Sequence, residues 1–196
     1  MIGKAKRPAD ATPRCWWCGN DPLYVQYHDA EWGVPVHEDQ RIFEFLVLES
    51  FQAGLSWLTI LRKRENFRAA FAQFDPERVA RFGDQERAVL LQDKGIVRNR
   101  LKIEAAIKNA QAFLQVQDKF GSFDRYIWGF TNFKTIRAKE PPRRETLPTT
   151  SPEAHALAKD LKSRGFSFLG PTVVYAHMQA TGMVDDHVEG CFKCRR

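Results

Sequence analysis

The stretch "LLQDKGIVRNRLKIEAAI", residues 90–107, carries the reading on which the fold turns. It runs from the end of one helical pattern through a glycine turn into a second helix with basic residues at its start. Backbone N–H groups at a helix N-terminus are unpaired and favour phosphate. Gly95 lets the backbone come close to such a group, and Arg98, Asn99 and Arg100 add charge and donors. This is the physics of a helix-hairpin-helix. The usual two-glycine hairpin is incomplete, because Val97 stands where the second glycine would be.

Working outward, the rest of the chain is helical in pattern and poor in strand signals. Upstream, "DQRIFEFLVLESFQAGLSWLTILRKRENFRAAFAQF" carries helix formers almost throughout, with a break at Gly54 and Asp39 as the first cap. "DPERVARF" predicts a short helix with Asp75 as cap and Pro76 first. "DQERAVLLQDKG" predicts a helix ending at Gly95. Downstream, a long amphipathic helix lines Ile103, Ile107, Ala110 and Leu114 along one stripe. "SFDRYIWGF", "SPEAHALAKDLKSRGF" (Ser151 cap, Pro152 first, Gly165 last) and "GPTVVYAHMQATG" add three more. "KTIRAKEPPRRETLPTTS" reads as a polar surface loop. The expectation is an all-α fold of eight to ten helices.

Composition agrees with a folded domain. The chain has 196 residues, 43% hydrophobic and 12% aromatic, with a net charge of +6 that favours a polyanionic partner. No apolar run approaches the ~20 residues of a membrane span. Residues 1–14 lack an apolar signal core and read as a basic flexible tail before a single domain over 15–196. That domain divides into a central hairpin lobe, 60–140, and a terminal lobe made of 15–59 plus 141–196.

The four cysteines fall in two CxxC pairs at the chain ends, Cys15 with Cys18 and Cys191 with Cys194, with His28 and His187 close by. Six candidate ligands exceed the four a zinc site takes. Spacing alone offers an all-cysteine tetrad. "HVEGC" offers instead His187 and Cys191 one helical turn apart, completed by Cys15 and His28.

Tyr24, Tyr27 and Trp32 cluster in "DPLYVQYHDAEWGVP", just after Trp16 and Trp17. "LESFQAGLSW" adds Trp57 and places Glu49 inside an apolar run. Buried carboxylates are rare unless paired or functional. Aromatic faces with one carboxylate suit a planar, cationic ligand.

Together, "DPLYVQYHDAEWGVP", "LESFQAGLSW", "RKRENFRAAFAQFDP", "GIVRNRLKIEAAIKNA" and "DDHVEGC" resemble the 3-methyladenine DNA glycosylase I family, from about Cys15 to Cys194. The resemblance implies a helix-hairpin-helix DNA glycosylase fold with a structural zinc ion, one per chain, joining the N- and C-terminal segments. Its ligands would be Cys15, His28, His187 and Cys191, with Cys18 and Cys194 dispensable. It implies a monofunctional repair enzyme that flips the damaged nucleotide out of double-stranded alkylated DNA and hydrolyses its glycosidic bond. Glu49 matches the catalytic, base-recognising carboxylate. Tyr27 and Trp57 match the aromatic faces around the base, with Trp17 and Tyr24 in the same pocket. Leu55 would wedge into the gap left by the flipped base, while Gly95, Arg98 and Arg100 hold the DNA backbone. No residue matches the aspartate that many hairpin glycosylases place downstream; Asp124 is nearest in sequence. A monomer in bacterial cytoplasm, with no membrane association, completes the expectation. The alternative is a binding module of the same fold without excision. Ser50, Phe51, Ala176 and His177 depart from the family pattern, and Ala176 would remove one polar contact to the base, worth ~1 kcal/mol.

Overall fold

The computed structural model describes residues 12–194, so most of the expected basic tail lies outside the described residues. Nine α-helices are present among the described residues: α1 (Pro22–Ala30), α2 (Asp39–Gln52), α3 (Trp57–Ala70), α4 (Pro76–Ala80), α5 (Asp84–Gln92), α6 (Arg100–Phe120), α7 (Phe123–Trp128), α8 (Pro152–Ser163) and α9 (Pro171–Ala180). The only sheet among them is a two-residue parallel pair, β1 (Ile136–Arg137) with β2 (Val184–Asp185), which ties the polar loop to the C-terminal segment.

The centre is α2. Every residue from Ile42 to Phe51 is buried, as befits a helix wrapped on all sides. It packs against α3, α6, α7 and α9. Phe43 meets Phe113 of α6, and Phe51 meets Phe67 and Phe71. The predicted caps Asp75 and Ser151, and with them Asn99 and Ser122, accept first-turn N–H groups, as short polar side chains do.

Two expectations need correction. Asp39 does not cap α2; it lies inside the helix, where Glu38 takes the cap position. The Asp39 carboxylate reaches α7 instead, accepting from the N–H groups of Phe123 and Asp124 and from Gln117 Nε2. It is a cap, but for a helix about 80 residues away. Nor does α5 run on to a left-handed glycine. It stops at Gln92, with Asp93 in extended conformation. The Asp93 side chain accepts the Gly95 N–H at 2.7 Å, closing a local turn that replaces the glycine cap.

Gly95 is needed for space. A Cβ there would lie 2.9 Å from Asp93 Oδ1 and 3.0 Å from Asn66. Its carbonyl accepts from Lys63 and Asn66 of α3. The hairpin turn is therefore bound from below by α3, and its exposed side carries Arg98, Asn99 and Arg100.

Candidate functional site

Four helices, α1, α2, α3 and α9, converge on a cavity of about 230 Å³. The segment before α1 contributes Trp17, α1 gives Tyr24 and Tyr27, α2 gives Glu49 and the start of α3 gives Trp57; all five expected residues line it. Trp17 lies 5.1 Å from Tyr24, and Tyr27 lies 5.5 Å from Trp57, between ring centroids. The volume is below the range of drug-sized clefts. It is on the scale of one small planar molecule.

Glu49 is the single ionisable carboxyl on this wall. It is 5% exposed, and burial alone pushes its pKa up to about 8. Its neighbours are aromatic, and the indole N–H of Trp57 is buried without a partner among the described residues. A neutral carboxyl in such a place ionises when a cation enters, because opposite charge offsets desolvation.

Sequence reading missed three further parts of the wall, Gln52, Leu147 and Gln179, and gave Trp32 and Trp16 only as members of the aromatic cluster. Leu147 comes from the loop expected to lie idle on the surface. Gln179 Nε2 donates to Asp186, which also accepts from Tyr175. Because a carboxylate only accepts, Gln179 turns its oxygen away from Asp186, free to accept from a ligand. Of the departures, Ala176 lines the cavity. Phe51 and Ser50 do not: Phe51 is core, and Ser50 donates to the Val47 carbonyl. His177 is fully buried with neither ring nitrogen paired among the described residues, and burial pushes its pKa down to about 3.

Behind the cavity, an ion-pair network spans α1, α2 and α3. Arg64 of α3 donates to Glu44 of α2 (Nε, 2.8 Å) and to Glu31 at the end of α1 (Nη1, 2.8 Å). Arg41 and Arg68 complete it.

A second cluster lies against the aromatic wall. Ligand atoms of Cys15, His28, His187 and Cys191, all buried, fall within 4.8 Å of one another and could hold a metal ion. Cys191 Sγ is 3.4 Å from His28 Nε2 and 3.6 Å from His187 Nδ1; Cys15 Sγ is 3.6 Å from His187 Nδ1. Each histidine spends its other nitrogen elsewhere. His28 Nδ1 meets Asp29 at 2.7 Å, itself gripped by Arg14, and His187 Nε2 meets the Trp32 carbonyl at 3.3 Å. Such partners fix the tautomer and turn the remaining lone pair towards the cysteines. The contact between the two cysteines pushes the pKa of Cys15 up and that of Cys191 down. Cys18 and Cys194 lie outside this group of four; Cys18 Sγ donates to the Cys15 carbonyl at 3.1 Å. Trp32 lines the cavity and also sits 4.7 Å from the His187 ring.

The remaining expected residues lie outside the cavity wall. Leu55, 41% exposed, sits in the loop between Gln52 and Trp57, two cavity residues, and so stands at the rim. Arg98 and Arg100 are exposed on the hairpin, where Arg100 pairs with Glu104. Asp124 pairs with His37 and is not part of the wall. Among the described residues, no helix is long and apolar enough to cross a membrane.

The family model for methyladenine glycosylases matches residues 17–194. DNA-3-methyladenine glycosylase 1 of Escherichia coli K12 is 47% identical over 178 residues, covering 91% of this chain and 95% of the relative. DNA-3-methyladenine glycosylase of Haemophilus influenzae Rd is 44% identical over 180 residues, covering 92% and 97%. The solved structure of 3-methyladenine DNA glycosylase I from Staphylococcus aureus, described for its recognition of 3-methyladenine, superposes with a TM-score of 0.89 at 38% identity, covering 93% of this chain and 97% of that one. The chain belongs to the methyladenine glycosylase family.

Proposed function

We propose that this protein flips 3-methyladenine out of alkylated duplex DNA and excises it by hydrolysis, leaving an abasic site. The observation that carries the reading is Glu49, a buried carboxyl on the wall of an aromatic, base-sized cavity. Methylation at N3 makes an attached adenine cationic. That charge favours the ionised form of Glu49, which releases its proton to solvent; the carboxylate then accepts hydrogen bonds from the adenine edge, while Tyr27 and Trp57 face the ring and Trp17 and Tyr24 close the pocket. Unmodified adenine is neutral and lacks the charge attraction to the carboxylate.

The leaving group needs no added proton. As the bond from sugar C1′ breaks, its electron pair neutralises the base. Water then bonds to C1′ and gives its spare proton to solvent. The protein's task is selection, positioning and exposure of the bond.

The α5–α6 hairpin grips the DNA backbone through Gly95, Arg98 and Arg100, and Leu55 fills the gap in the stack. Under this reading the terminal lobe, 15–59 plus 141–196, reads the base and the hairpin lobe, 60–140, reads the backbone. All residues of the cavity wall fall in the first of these ranges. The Cys15, His28, His187 and Cys191 set would hold one structural zinc. Bonds of ~2.3 Å to sulfur and ~2.05 Å to nitrogen at a tetrahedral angle put S and N about 3.6 Å apart, and the three S···N separations are 3.4–3.6 Å. Four protein ligands leave no open position, so the ion ties the chain ends together and takes no part in the reaction. A monomer acting in the bacterial cytoplasm fits this role.

The test is chromatography of bases released from methylated duplex DNA. Free 3-methyladenine with matching alkali-labile sites is expected. No release by folded protein would favour a binding module.

A further inference from the structure

Lys102 has no part in the function proposed above, yet its side chain joins the hairpin helix α6 to the end of α2. It lies in the first turn of α6 and is 6% exposed. Lysine is almost never buried without a partner. Here the ammonium donates to two carbonyls, Phe51 at 2.9 Å and Ala53 at 2.7 Å. Both belong to the C-terminal end of α2, where carbonyls lack helical partners and carry partial negative charge.

Those two carbonyls are not arbitrary. Phe51 lies two residues after Glu49 on the same helix. Ala53 opens the four-residue loop that carries Leu55 and joins Gln52 to Trp57. Gly54 takes φ +84°, so this loop has a turn that its neighbours must hold in place. On the other side, the Lys102 N–H is accepted by the cap residue Asn99, and Arg98 and Arg100 stand exposed beside it. One turn of helix therefore presents cations to solvent and, through Lys102, holds the end of the Glu49 helix and the root of the rim loop.

We infer that Lys102 is a positioning residue that fixes the Leu55 loop and the end of α2 in register with the DNA-gripping hairpin. The inference rests on the proposed glycosylase reading. Its consequence is that backbone engagement places the wedge at the height of the damaged base. A residue serving stability alone would weaken every activity together. A register residue affects the step that needs the wedge, which is extrusion from a paired duplex.

The experiment compares wild type, Lys102→Met, Leu55→Ala and the double variant. Release of 3-methyladenine is measured from methylated duplex and from the same strand unpaired, and binding of free 3-methyladenine is followed by tryptophan fluorescence. Wild type must release the base from duplex; if it does not, the glycosylase reading itself fails. Lys102→Met is expected to lose kcat/KM on duplex on the order of 10- to 100-fold, the scale of a small misplacement. Its single-strand activity and free-base affinity should stay near wild type. The double variant should be no worse than the poorer single variant, because both act through one loop. Equal losses on duplex and single strand, or effects of Lys102→Met and Leu55→Ala that multiply, would overturn the inference. If Lys102→Met does not fold, Lys102→Gln, which keeps an N–H donor, is judged by the same two criteria.

Discussion

Replacing Glu49 with glutamine should make the empty protein more stable while disabling it. In the folded chain the carboxyl keeps its proton up to about pH 8, because burial opposes its charge. In the unfolded chain it loses that proton near its ordinary value of 4.5. Between these limits the unfolded state gains an ionisation that the folded state lacks, so the folded state loses ground as pH rises through the window. Each pKa unit is worth about 1.4 kcal/mol, so the penalty at pH 7 is about 3 kcal/mol. Glutamine carries no such penalty. Glu49→Gln should raise the melting temperature at pH 7 by about 6–12 °C for a chain of this size. Urea titrations of both proteins at a series of pH values provide the assay. The stability gap should be small at pH 4.5, widen up to pH 8 and level off above it. Titrations elsewhere, including at the metal cluster, are common to both proteins and cancel. A gap that does not change between pH 5 and 8 would refute the reasoning.

Other perturbations probe other parts of the molecule. His177→Leu removes two unpaired buried nitrogens and should stabilise the fold by ~1–3 kcal/mol. Because burial holds His177 near 3 against an ordinary 6.5, the wild type loses stability as pH falls below 6.5; thermal melts at pH 4 and 7 should show that acid loss reduced in the variant. Arg64→Met removes one of the two arginines that bridge Glu44 and Glu31; Arg41 still reaches both and Arg68 still reaches Glu44, so the cost in urea unfolding should be about 1.5–3 kcal/mol, that of hydrogen bonds to charged groups. Metal analysis should find one zinc per chain, kept in the Cys18→Ser, Cys194→Ser double variant and lost in Cys191→Ser with a fall in melting temperature. Zinc lost from the double variant would overturn the assignment of ligands.

Much of this architecture is readable in the residues. Helices capped by Asp75 and Ser151 announce themselves because cap and helix are adjacent in sequence. Glu49 stands out because a carboxyl amid Leu48 and Phe51 conflicts with the apolar pattern around it. What could not be read depends on partners far along the chain. Asp39 looks like a local cap but serves α7, since only the packed fold brings Phe123 to it. Leu147 sits in a stretch whose composition says only loop, and Gln179 gains its orientation from Asp186 through the fold. Lys102 is hardest of all. Its partners are main-chain carbonyls, which every residue owns, so no pairing of side chains in the sequence points to it. The ligand set falls between these cases: the cysteines and histidines are visible, but spacing allows two tetrads, and only the fold brings the mixed one together.

The most direct test of the central claim is a single-turnover measurement of 3-methyladenine release from methylated duplex DNA by wild type and Glu49→Gln, with both proteins shown to be folded. The account predicts rapid release by the wild type and a loss on the order of 100-fold or more in the variant, the scale of removing a charged group aimed at the reacting base. Equal rates would contradict it, for then the buried carboxyl would not be what the cavity uses to take the damaged base.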